Sequence, residues 1–161
     1  MMDGGISMGD IVASKQPTPI VRDADKLFVR GVDALERNRF EEAAGLLRQA
    51  AALAPESSAV HLALGIVLTR LLEIPAAFAA LETAIELDPK GFFSHFRMGE
   101  LYMRVGVPTK GREELQLAMD LSTTPEQRRM VRELLAADTK RAPRRMWRPD
   151  FSRLTGKKPK L

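Results

Sequence analysis

The sequence predicts an all-α protein, a right-handed solenoid of antiparallel helix pairs, and the evidence is a repeated spacing of small residues. Gly31, Gly65 and Gly99 lie 34 residues apart. Three alanines share this interval, namely Ala50, Ala84 and Ala118. A doubled interval of this length is typical of helical repeat proteins. No segment shows the alternation of β-branched and polar residues that would indicate strands.

The interval covers whole units when the segments 24–57, 58–91 and 92–123 are aligned. Position 8 is the glycine, position 20 is small, position 27 is alanine and position 32 is a helix-ending proline in two of the three units. The residues at positions 20 and 32 are Ala43, Ala77 and Gly111, and Pro55, Pro89 and Thr123. This pattern resembles the tetratricopeptide repeat family. The resemblance implies that each unit is a pair of helices, called A and B here.

Small residues are needed at these positions because the two helices of a unit cross closely. Helix axes approach to about 8–10 Å only where the side chains at the crossing are small. The third unit departs from the pattern, with Thr123 in place of proline and with Gly111, a poorer helix former than alanine. We therefore expect it to be a terminal repeat.

The chain is predicted to have four parts. Residues 1–23, which are rich in glycine, serine and proline, are expected to be a flexible leader. The repeats and a capping helix occupy 24–138, and the last of these elements spans 124–138. Thr124, Pro125 and Gln127 mark its start as an N-cap, a first-turn proline and a capping-box partner. One face of this helix is apolar and is expected to cover the last repeat; it consists of Met130, Val131, Leu134 and Leu135.

The tail, residues 139–161, differs in charge from the rest of the chain. It has nine Lys or Arg and one Asp, a net charge of +8. Its candidate binding residues are Arg144, Arg145, Trp147, Arg148 and Phe151. Four interpretations are open: a solubilising end, a docking segment for an acidic protein or for the chain's own repeats, a nucleic-acid contact in which Trp147 stacks on a base, and a contact with an anionic membrane surface.

The main function is expected to lie on the A helices, because the resemblance implies that these helices line a concave groove. Positions 2, 5, 9 and 12 of each unit usually point into that groove, with positions 6 and 13 beside them. The predicted binding residues are Phe28, Val32, Leu35, Leu62, Ile66, Thr69, Arg70, Phe93, Phe96, Arg97, Glu100, Met103 and Arg104. This groove is mainly apolar, which suits a partner segment with leucine or aromatic anchors. The leader, the tail or a second copy of the chain could also cover it.

The same positions speak against one use of the family. Members that grip acidic C-terminal peptides of heat-shock chaperones carry lysine and asparagine at positions 5 and 9 of the first unit. Here these positions are Phe28 and Val32, and only Arg97 matches the basic residues expected in the third unit. The resemblance therefore does not extend to such a carboxylate clamp.

Catalysis finds little support in the sequence. His61 and His95 share position 4, where a packing role is expected, and no third ligand is spaced to complete a metal site. The acidic pairs Glu41–Glu42 and Glu113–Glu114 are interpreted as starters of second helices. Cysteine and phosphate-binding glycine loops are absent, so we predict neither a cofactor nor an enzyme.

The predicted function is protein binding by an adaptor or co-chaperone that holds an apolar partner segment. A narrower alternative resembles the three-repeat chaperones of type III secretion systems. A rival from another class is an accessory nucleic-acid-binding protein that uses the basic tail. The chain has neither a secretory signal nor 18 consecutive apolar residues, so a cytoplasmic location is expected.

Overall fold

The computed structural model describes residues 19–140, which form seven α-helices and no strands. The helices are α1 (Pro19–Glu36), α2 (Phe40–Leu53), α3 (Ser58–Arg70), α4 (Ile74–Leu87), α5 (Phe92–Val105), α6 (Pro108–Leu121) and α7 (Pro125–Lys140). The predicted all-α fold is confirmed, and each of the first three pairs packs more extensively within itself than against its neighbours.

The first helix begins earlier than the sequence predicted. Residues 19–23, for which the composition predicts a flexible leader, form its first turn and more. Proline is favoured at the start of a helix because its fixed φ suits the first turn. An exposed ion pair between Lys26 and Asp23, at 3.2 Å, adds a contact along the same helix.

Each A helix turns back onto its B helix through two or three residues. Turns this short force the two helices to be antiparallel. One residue in each turn adopts the left-handed conformation, and these residues are Asn38, Leu72 and Gly106, with φ of 58°, 62° and 85°. They too are 34 residues apart, so the turn geometry repeats with the helices.

The position-8 glycines each face a leucine of the paired B helix. A Cβ on Gly31, Gly65 or Gly99 would lie 2.8, 2.7 or 2.7 Å from the Cγ of that leucine. The leucines are Leu47, Leu81 and Leu115, and all are fully buried. Glycine is therefore required because the leucine occupies the space that a Cβ would fill.

Gly111 is also explained by close packing, although the sequence marks it only as a poor helix former. A Cβ there would lie 3.0 Å from Cγ of Met103 and 3.2 Å from the carbonyl oxygen of Gly99. The third pair thus places a long side chain at the crossing and compensates with a smaller residue on the B helix.

The capping helix α7 forms as the capping motif predicted, and it continues through Lys140, two residues into the segment assigned to the tail. The Thr124 hydroxyl accepts a hydrogen bond from the backbone N–H of Gln127 (3.2 Å), and the Gln127 side-chain oxygen accepts one from that of Thr124 (3.3 Å). Val131 of α7 is fully buried in a cluster with α5 and α6, which also contains Phe92, Phe96, Met103, Leu115 and Ala118. A larger cluster fills the first two pairs and extends into α5. Within residues 19–140, no helix is long and apolar enough to cross a membrane.

Candidate groove on the A helices

The three A helices share one face of the molecule because α1 contacts α3 and α3 contacts α5. We use the term groove face for the side chains at positions 2, 5, 6, 9, 12 and 13 of these helices. These are the positions at which the sequence placed the binding residues.

The first two repeats contribute the apolar part of the groove face. Phe28, Val32, Leu35 and Leu62 are half-buried and pack against the larger core cluster. Ile66, also half-buried, follows one turn after Leu62 on α3. The first four side chains rest on the core with one side, and all five keep part of their surface accessible, which is suitable for contact with an apolar partner.

The third repeat contributes fewer accessible apolar side chains to the predicted, mainly apolar lining than the first two repeats do. Phe96 and Met103 are buried, with 7% and 8% of their surface exposed, in the cluster that includes α7. Both side chains therefore keep only a small accessible part on the groove face. Phe93 is the exception, since 45% of it is exposed.

Charged side chains at other positions of α5 form most of the remaining groove face in this repeat. The carboxylate of Glu100 lies 2.8 Å from Nη1 of Arg97 and 3.7 Å from Nη2 of Arg104. Both arginines and Glu100 line one narrow cleft with Arg70, Thr69 and Ile66. The Thr69 hydroxyl donates to the carbonyl oxygen of Gly65 at 2.8 Å and is therefore already engaged.

A larger cavity, of about 420 Å³, opens between α5 and α7. Its walls are Glu100, Met103 and Arg104 from α5, and Leu134, Ala137 and Asp138 from α7. The sequence predicted Leu134 on the covering face but gave no signal for Ala137 or Asp138. Their position in the cavity wall depends on the angle between α7 and α5, which the 34-residue interval does not specify.

Two further sets of candidates remain, the tail residues and the two histidines. The tail residues Arg144, Arg145, Trp147, Arg148 and Phe151 lie outside the described residues. His61 and His95 each place Nε2 near a proline carbonyl oxygen, at 2.9 Å from Pro55 and 3.1 Å from Pro89. Across residues 19–140, no three His, Cys, Asp or Glu side chains are arranged to hold a metal ion.

The comparisons with solved structures agree on one fold. The translocator chaperone SycD of Yersinia enterocolitica, in an alternative dimer, superposes with a TM-score of 0.68 at 20% identity, covering 73% of this chain and 92% of that one. The TPR2B domain of yeast Sti1, in its complex with pHsp70, gives 0.70 at 18% identity and covers 75% and 99%. SycD in complex with a peptide of the translocator YopD gives 0.65 at 19% identity and covers 71% and 91%. No protein-family profile and no curated protein sequence matches this chain.

The chain therefore has the tetratricopeptide repeat fold, with three helix pairs and a capping helix in the described part. The fold class that the 34-residue interval predicted is confirmed by structures that share at most 20% of their residues with this chain.

Proposed function

We propose that this protein is a non-catalytic adaptor or chaperone that holds an apolar segment of a partner protein on its groove face. The observation that carries the proposal is the row of half-buried apolar side chains on α1 and α3, from Phe28 to Ile66. Completing the burial of such side chains stabilises a complex by about 25 cal/mol for each Å² of apolar surface removed from water.

The structural neighbours support this proposal because their groove-forming fold binds peptide segments. SycD has been solved with a peptide of YopD, and the TPR2B domain of Sti1 has been solved in its complex with pHsp70. Within this chain, the apolar residues Phe28 and Val32 favour apolar contacts with a partner segment over a carboxylate clamp built on the first repeat.

The test begins with the full-length protein as bait in a lysate of its native cell, followed by identification of the captured protein. Overlapping 20-residue peptides of that protein are then measured by fluorescence anisotropy. We expect one apolar segment to bind, and Ile66→Asp to weaken it by at least about tenfold, because a carboxylate would lose its hydration against the apolar anchor.

The matched control is Leu117→Asp, an equal change at an exposed leucine of α6, which does not contribute to the groove face. It should leave the affinity unchanged, and circular dichroism should show that both variants are folded. If no peptide binds, or if Ile66→Asp binds as the wild type does, the proposal is wrong. If Ile66→Asp instead dissociates a dimer in sedimentation experiments, the groove face serves self-association.

A further inference from the structure

The groove face changes its chemistry along its length. Phe96 and Met103 are buried in the cluster that includes α7, so the accessible lining of the third repeat consists of Phe93 and of three charged side chains, Arg97, Glu100 and Arg104. The first two repeats, in contrast, present the apolar row described above. A partner segment lying across the A helices would therefore meet an apolar end and a charged end.

The charged end is positive. Arg70, Arg97 and Arg104 line one cleft with a single carboxylate, Glu100, so three positive charges and one negative charge leave a net charge of +2. Glu100 is shared between two of the arginines, at 2.8 and 3.7 Å. Arg70 makes no ion pair with any residue from 19 to 140. The Nε–H of Arg97 is buried and has no acceptor within the same part of the chain.

Helix dipoles explain only part of this arrangement. Arg70 and Arg104 lie in the last turns of α3 and α5, where a positive charge is favourable. Arg97, however, is the sixth residue of α5, so the dipole gives no reason for a cation there. At the other end of the groove, α1 contributes Asp25 and Glu36, which are exposed. The groove face is thus negative along α1 and positive along α5.

We propose that the partner segment carries an Asp or Glu on one side of its apolar anchors, and that Arg70, Arg97 and Arg104 bind this carboxylate over the third repeat. The inference rests on the proposed function and adds the charge and the direction of the bound segment. A guanidinium group suits this task because its planar set of N–H donors matches a carboxylate. The chain's own tail, 139–161, is a poor occupant of this end because it carries a net charge of +8.

The test uses a random twelve-residue peptide library displayed on phage, selected separately on the wild-type protein and on the Arg70→Glu/Arg104→Glu variant. We expect peptides selected on the wild type to combine apolar residues with Asp or Glu on one consistent side. On the variant this side should change to Lys or Arg. A synthetic acidic peptide from the first selection should lose about tenfold in affinity on the variant, and less at high salt, because part of the attraction is screened.

The control variant is Arg30→Glu, an exposed arginine on α1 placed two residues before Val32 and thus on the opposite side of that helix. It should select the same peptides as the wild type. Peptides with apolar anchors and no charge preference, or with the same preference on wild type and variant, would overturn the inference while leaving the proposed function intact. If no selected peptide is sensitive to Ile66→Asp, the proposed function itself fails and the inference falls with it.

Discussion

The imidazole of His95 joins two helices of the third repeat through Glu114. Its Nδ1 lies 2.8 Å from Oε2 of Glu114 on α6, while its Nε2 lies 3.1 Å from the carbonyl oxygen of Pro89. The imidazole of His61, at the same position of the second repeat, has the equivalent carbonyl as its one hydrogen-bond partner within residues 19–140, because the residue 34 places before Glu114 is Ala80. The third repeat therefore has a hydrogen bond between its two helices at a position where the second repeat has an alanine.

This contact corrects the interpretation of Glu113–Glu114 as helix starters. Because α6 begins at Pro108, these residues are its sixth and seventh, beyond the first turn. Glu41 and Glu42, by contrast, do lie in the first turn of α2, where the helix dipole favours them.

A double-mutant cycle should show that His95 and Glu114 stabilise the fold together. We expect His95→Ala and Glu114→Ala each to lower the free energy of unfolding by about 1–3 kcal/mol, because each leaves a partly buried polar partner unsatisfied. The double variant should lose less than the sum of the two. Urea unfolding followed by circular dichroism measures this, and additive losses would show that the contact contributes nothing.

Alanine at Gly65 should destabilise the protein, although alanine is the better helix former. Its Cβ would lie 2.7 Å from Cγ and Cδ2 of Leu81, which is fully buried. We expect a loss of about 1–3 kcal/mol on thermal or urea unfolding. Gly45→Ala is the control, since no atom lies within 4 Å of its Cβ, and it should gain up to about 1 kcal/mol. Equal effects at the two sites would contradict the proposed role of the leucine.

Leucine at position 72 should be a point of strain. It has φ of 62° and is 70% exposed, so its side chain gains little from packing in a conformation that costs about 1–2 kcal/mol. We expect Leu72→Asn to raise the stability, because asparagine adopts the same conformation at the matching position 38. The reverse change, Asn38→Leu, should lower it. A decrease in melting temperature for Leu72→Asn would mean that this side chain makes a stabilising contact.

The capping helix should be required for the third repeat to fold. Val131→Asp would bury a carboxylate among Phe96, Met103 and Leu115, and we expect it to cost at least about 3 kcal/mol. Arg132→Asp, at the exposed neighbouring position, should change the stability by less than about 0.5 kcal/mol. Hydrogen exchange should show the loss of protection in α5 and α6 before α1 and α2. Uniform loss through all helices would instead indicate that the repeats unfold as one unit.

The 34-residue interval alone was sufficient to predict which residues of the groove face lie on the A helices. The 34-residue interval places Phe28, Val32 and Leu62 on the A helices, and the structure shows these side chains half-buried against the core. The frame works because each repeat contacts mainly its neighbours, so local spacing determines which side of a helix faces its partner. It could not predict how deeply Phe96 and Met103 are buried, because the cluster that holds them combines side chains of α5, α6 and α7.

Local chemistry in the amino-acid sequence was therefore sufficient for the helix pairs, the close glycine crossings and the start of α7. These depend on side-chain size and on capping groups within a few residues of one another. The angle at which α7 lies across α5 is a property of the packed molecule, since it follows from the combined shapes of several distant side chains. In the packed molecule Phe96 is buried in the cluster that includes α7, while Arg70 and Arg104 stay exposed and Arg97 is partly exposed, so this end of the groove is positive.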